Sequence, residues 1–108
     1  MPGIVLVERR PFHQVTVLLH EAAAAKIRLD TVAVPLERVL ANRPIEWRRA
    51  TVTGLDRSAR RIHTDGGHVT YSRLVVALGS EVAASAVPGA AEHALTLTTQ
   101  DDARRLRE

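Results

Sequence analysis

Two short, unbroken apolar runs, Ile4–Val7 and residues 74–78, constrain this chain more than any other feature of it. The first is rich in β-branched residues, and neither alternates with polar ones. Arg9-Arg10-Pro11 follows the first run and Gly79-Ser80 closes the second. A strand that is apolar on both faces is the pattern of a buried strand in a parallel sheet. Two such strands joined through a helical crossover imply a parallel sheet and an α/β layer architecture.

The sequence between them supports that reading. Residues 15–27 predict a helix, carried by Leu18-Leu19 and the alanine run 22–25. Asp30 or Thr31 begins the next turn. Pro35 suits the first position of a second helix, where its missing N–H costs nothing. Leu36, Val39 and Leu40 form one apolar stripe there, ended by Asn42 and Pro44. At Ile45 the period changes: Ile45 and Trp47 alternate with charged residues, as in a half-buried strand. Residues 51–55, 60–64 and 68–70 then predict an antiparallel meander, turning at Asp56-Arg57-Ser58 and Asp65-Gly66-Gly67. Val87-Pro88-Gly89 predicts a turn, and residues 99–107 a terminal helix with Thr99 and Asp102 in capping-box spacing.

At 108 residues the chain has the length of one small domain. It is 45% hydrophobic but only 3% aromatic, so its core must be built from Val, Leu, Ile and Ala. The net charge is +3, and the arginines fall in short clusters such as Arg9-Arg10, Arg48-Arg49 and Arg60-Arg61. These are interspersed with carboxylates and lack stacking aromatics, which argues against a nucleic-acid partner. The absence of cysteine excludes disulfides, thiolate metal sites and a redox Cys pair. No stretch approaches the roughly 20 apolar residues of a membrane span. Ile4–Val7 is too short for a signal peptide, so the expected location is cytoplasmic.

Several of these segments resemble one family. Val5 to His13 resembles the second strand of the FAD domain in type II NADH dehydrogenases and their FAD-dependent pyridine nucleotide-disulfide oxidoreductase relatives. Leu19-His20-Glu21-Ala22-Ala23 resembles the helix that follows in one subgroup. Tyr71-Ser72-Arg73-Leu74-Val75-Val76-Ala77-Leu78-Gly79-Ser80 resembles the family's Tyr-Asp-x-Leu-Val-x-Ala-Thr-Gly-Ser signature, with Leu78 in place of the common Thr. Val87-Pro88-Gly89 resembles the Pro-Gly turn after it, and Asp102-Ala103-x-x-Leu106-Arg107 the helix leading toward the NADH-binding domain. The order and spacing of the segments run from end to end of the chain.

The resemblance implies a partial Rossmann-like FAD-binding domain over residues 1–108, α/β in class, with parallel strands plus an antiparallel β-meander. It implies FAD as cofactor, and NADH and a quinone as partners in full-length relatives, which are peripheral at the inner face of the membrane. A carboxylate at the carboxyl end of a parallel strand can accept hydrogen bonds from ribose hydroxyls. Glu8 stands in that place and by resemblance holds the adenosine ribose. By resemblance also, Arg9 and Arg10 flank the adenine, the Val52 backbone meets it, and the Ala77-Leu78-Gly79 backbone approaches the flavin nucleotide. The alternatives are a solvated strand-end carboxylate, solvated turn charges, an ordinary strand valine and a strand-ending glycine. Ala25 falls where relatives carry a Gly facing the flavin. His13, His20 and Glu21 are expected in structural or solvated roles, since adjacent positions on a helix point to different faces.

No G-x-G-x-x-G occurs in the 108 residues. In dinucleotide folds that loop cradles the pyrophosphate at a helix N-terminus. By resemblance the first strand, which lies between Ile4–Val7 and residues 74–78, is also absent, leaving two apolar edges. Three outcomes follow: the two strands pair directly, a second copy fills the gap, or the natural start lies upstream of Met1. A single chain with the unaltered family fold is the least expected. Two functional readings stand: part of an FAD-dependent NADH:quinone oxidoreductase that is not catalytic alone, or a non-enzymatic, self-associating or partner-binding α/β remnant.

Overall fold

The first apolar run forms a strand and the second does not. The computed structural model describes residues 3–108. In chain order it contains β1 (Ile4–Val7), β2 (Phe12–Gln14), α1 (Leu19–Ala23), β3 (Ala33–Pro35), α2 (Leu36–Leu40), β4 (Ile45–Arg48), β5 (Val52–Asp56), β6 (Arg61–Thr64), β7 (Gly67–Thr70), α3 (Ala90–His93) and α4 (Gln100–Arg107). Short 3-10 turns lie at Thr16–Leu18, Leu29–Val32 and Ala84–Ala86. The chain divides into two compact units.

One unit runs through Pro11 and resumes at Leu40–Ala77. In it β1 pairs with β4 in parallel, from Ile4 opposite Ile45 to Val7 opposite Arg48. Ile45 and Trp47 are half-buried while Glu46 and Arg48 are exposed, the alternation expected for this strand. The meander also forms as expected, with β6 central between β5 and β7. Val69 is buried on its inner face.

Residues 74–78 correct the expectation of a buried strand. Among the described residues no ladder includes them, and β1 pairs only with β4. Val75 is 87% exposed, Val76 65% and Leu78 79%. Apolar character favours burial, but a strand exists only through partner backbone. No such partner lies beside this run, so the direct pairing of the two apolar runs does not occur.

The other unit comprises Phe12–Val39 and Leu78–Glu108. Its core is Leu19, Ala22, Val32 and Ala103, with Leu18, Ala23, Ile27, Leu29 and Leu97 packed against it. Ala22 and Ala103 are fully buried where α1 packs on α4. β2 pairs antiparallel with β3, Phe12 opposite Pro35. Neither strand was expected: Pro11 read as a turn residue and Pro35 as the start of a helix. Pro35 instead ends β3, and α2 begins at Leu36.

The first helix is much shorter than the expected 15–27. After Ala23 the chain closes in a Schellman motif: the Lys26 N–H donates to the Glu21 carbonyl at 2.9 Å and the Ala25 N–H to the Ala22 carbonyl at 3.1 Å. Ala25 takes the left-handed conformation this motif requires, with φ 58°. The Cβ of an L-residue is crowded there and glycine is not. The substitution Ala25→Gly is expected to stabilise the chain by about 0.5–1 kcal/mol, read as a higher urea midpoint.

At α4 the expected capping box is present, with Thr99 and Asp102 each accepting from the other's backbone N–H. Asp102 Oδ2 also accepts from the Thr98 N–H at 2.9 Å and the Thr98 hydroxyl at 3.0 Å. The Thr98 N–H is the main cause that lowers the carboxyl from its ordinary 3.8 to about 2, against an opposing contribution from burial. A pKa depressed on folding stabilises the chain above the unfolded value and ceases to as the carboxyl protonates. The Asp102 contribution is therefore complete above about pH 4 and falls away toward pH 2. The substitution Asp102→Ala is expected to cost about 1 kcal/mol at pH 7 and almost nothing at pH 2, measured by urea denaturation at both pH values.

Candidate functional site

Glu8 stands one residue beyond the carboxyl end of β1 and is half-buried. Its N–H donates to the Arg48 carbonyl at 3.2 Å, extending the parallel ladder by one bond. Its own carbonyl accepts from the Trp47 indole N–H at 3.1 Å. The carboxylate is held too: Oε1 accepts the Arg10 N–H at 2.8 Å. Among the described residues no Arg or Lys forms an ion pair with it. The outcome is an oriented, half-buried carboxylate at a strand end, whose Oε2 accepts no hydrogen bond among the described residues.

Arg9 is exposed and Arg10 half-buried. The Arg9 carbonyl accepts from Arg49 Nε at 3.3 Å, and among the described residues neither guanidinium is paired with a carboxylate. Val52 is half-buried and opens β5 opposite Thr64, beside an irregularity between Val52 and Gly54. The Thr51 N–H donates to Asp65 Oδ1 at 2.9 Å and its carbonyl accepts from the Asp65 N–H at 3.1 Å, which pins the backbone leading into Val52. Ala77 is exposed in the same unit; Leu78 and Gly79 belong to the other. Gly79 has φ 79°, and a Cβ built there meets nothing within 4 Å. Within the chain, then, the glycine answers to backbone handedness and not to crowding. His13 and His20 are exposed on β2 and α1, and Glu21 is half-buried.

The family model for pyridine nucleotide-disulphide oxidoreductases matches residues 3–108. The chain belongs to that family. It is 31% identical over 103 residues to a type II NADH:quinone oxidoreductase of Staphylococcus haemolyticus strain JCSC1435, covering 95% of this chain and 26% of that one. Against the enzyme of the same description from Staphylococcus aureus strain NCTC 8325 it is 32% identical with the same coverage. This member of the pyridine nucleotide-disulphide oxidoreductase family thus spans about a quarter of the length of the curated relatives it matches.

Solved structures give the fold. The sulfide:quinone oxidoreductase of the hyperthermophilic bacterium Aquifex aeolicus aligns with TM-score 0.86 at 24% identity, over 97% of this chain and 24% of that chain. NDH2 from Plasmodium falciparum, in complex with RYL-552, aligns with TM-score 0.85 at 16% identity, over 97% of this chain and 23% of that chain. The expected partial Rossmann-like α/β architecture is therefore the one observed. Residues 74–78 are unpaired in it.

Proposed function

We propose that residues 1–108 form part of one FAD-binding domain of an NADH:quinone oxidoreductase, in which Glu8 accepts hydrogen bonds from the adenosine ribose. The observation that supports this most is the Glu8 carboxylate itself: at the end of a parallel strand, oriented by the Arg10 N–H, with one oxygen that accepts no hydrogen bond among the described residues. Arg9, Arg10 and the Val52 backbone flank the adenine in this reading, and Ala77, Leu78 and Gly79 are assigned to the nucleotide by resemblance to the family signature. The residues present suit the ribose end of FAD. None of them is a glycine-rich cradle for its pyrophosphate, which must come from outside these 108 residues.

Bound FAD would supply the redox chemistry, taking hydride from NADH and passing electrons to the quinone. This chain's residues bind and orient; no side chain among them is assigned as acid, base or nucleophile. No helix among the described residues is long and apolar enough to cross a membrane. A cytoplasmic location is proposed, with NADH and quinone as partners only of the longer assembly. The chain mixed with FAD, NADH and a short-chain quinone is expected to oxidise NADH no faster than free flavin does. Turnover above that level, followed as loss of NADH absorbance, would overturn the claim that it is not catalytic alone.

A second reading, a self-associating α/β module without catalysis, is favoured by a different observation. Val75, Val76 and Leu78 are exposed, and β1 has an unpaired edge with Ile4 66% exposed.

A further inference from the structure

The outer face of the meander carries two histidines side by side. His63 on β6 and His68 on β7 are register partners. The Tyr71 N–H donates to the Arg60 carbonyl at 3.0 Å, which makes Arg60 and Tyr71 a hydrogen-bonded pair. Hydrogen-bonded and non-hydrogen-bonded pairs alternate along an antiparallel ladder, so Ile62/Val69 is hydrogen-bonded and His63/His68 is not. In such a pair the Cα atoms stand about 4.5 Å apart and the side chains rise close together from one face.

That face is the solvated one. His63 and His68 are exposed, whereas Val69 on the opposite face is buried. The register partner of His63 on β5 is Gly54. A Cβ built at 54 would lie 3.8 Å from His63 Cδ2, an ordinary van der Waals contact, so the His63 ring lies beside Gly54. Arg61 and Asp56 face each other one row further along, and Asp56 Oδ1 already accepts the Ala59 N–H at 2.9 Å. Neither histidine is in an ion pair among the described residues.

We infer that His63 and His68 form a two-imidazole site for a divalent transition metal, with Cu(II) bound most tightly. Imidazole nitrogen suits Cu, Ni and Zn, and affinity at such a site rises to a maximum at Cu(II). The pair supplies two adjacent ligand positions and water fills the others. Coordination staples β6 to β7 outside the backbone ladder. Only the neutral rings bind, so protons compete with the metal and binding weakens as the solution is acidified. This site shares no residue with the proposed nucleotide site and stands or falls separately from it.

The test is calorimetric titration of the whole chain with Cu(II) at pH 7.5 and pH 5, beside the variants His63→Ala, His68→Ala and, as control, His13→Ala. One saturable site per chain is expected. Each pair variant should weaken it at least ~10-fold, as expected for loss of one of two metal ligands. The control should match the parent. Cu(II) should raise the melting temperature of the parent and the control, and not of the pair variants. The inference is overturned by unchanged affinity in either pair variant, by an equal loss in the control, or by no saturable binding at pH 7.5.

Discussion

Truncation of Leu19 to alanine is expected to lower the stability of the chain by about 3 kcal/mol, within the roughly 2–5 kcal/mol seen for buried leucines. Leu19 is 2% exposed and belongs to a core whose other fully enclosed members are Ala22, Val32 and Ala103. Two of those three are alanines, so Leu19 carries much of the apolar volume between α1 and α4. The sequence contains one Trp, one Tyr and one Phe, and no bulky aromatic belongs to this cluster to collapse into the space left. Small domains have only about 5–15 kcal/mol of stability in total, so a loss of this size moves the urea midpoint far. The change Leu106→Ala, at a side chain 40% exposed on α4, is the matched control and should move the midpoint much less. Equal shifts for the two would mean that the described core is not where the stability resides.

On the self-associating reading, the double substitution Val75→Asp, Val76→Asp is expected to abolish self-association while leaving stability almost unchanged. These side chains are 87% and 65% exposed, so charging them removes little packing. Among the described residues their backbone joins no ladder, and β1 offers one unpaired edge in the same unit. Exposed apolar chain and open strand edge are the two features that recruit further strands. Sedimentation velocity should show the parent chain dimerising with rising concentration, and the double variant remaining monomeric with its urea midpoint retained. A parent that stays monomeric throughout would remove the basis for the self-associating reading. A variant that loses its midpoint would show that residues 74–78 are packed in solution.

What was legible in the sequence divides along local and non-local lines. The meander follows from alternation and from turn residues such as Asp65-Gly66-Gly67, and the α4 cap from the spacing of Thr99 and Asp102; both are decided within a few residues. The partner of β1 was not legible, because parallel pairing joins Ile4 to Ile45 across most of the first half of the chain. The run at 74–78 announces a strand through hydrophobicity, yet hydrophobicity does not name a partner. Helix length failed at Ala25 for a related reason: alanine has the highest helix propensity, and nothing in its chemistry announces a left-handed stop. Asn42, by contrast, has φ 59° at the end expected for α2, and asparagine tolerates that conformation. Arg60, with φ 48° in the β5–β6 turn, gave no such signal.

At the candidate site, the place of Glu8 at the carboxyl end of β1 followed directly from where the apolar run stops. Its restraint by the Arg10 N–H and the Trp47 contact to its carbonyl depend on folded geometry. The His63/His68 pair escaped notice because two residues five apart in sequence become neighbours only once the hairpin register is set.

The most direct measurement is a titration of the chain with FAD, following flavin fluorescence, for the parent and for Glu8→Gln. That change keeps the size of the side chain and removes the charge that strengthens its hydrogen bonds to ribose hydroxyls. The expected result is saturable binding in the parent, weak because no phosphate cradle is present, and at least ~10-fold weaker in the variant. No binding up to millimolar FAD, or equal affinity in the two proteins, would contradict the assignment of Glu8 and leave a chain that keeps the family's fold without its nucleotide site.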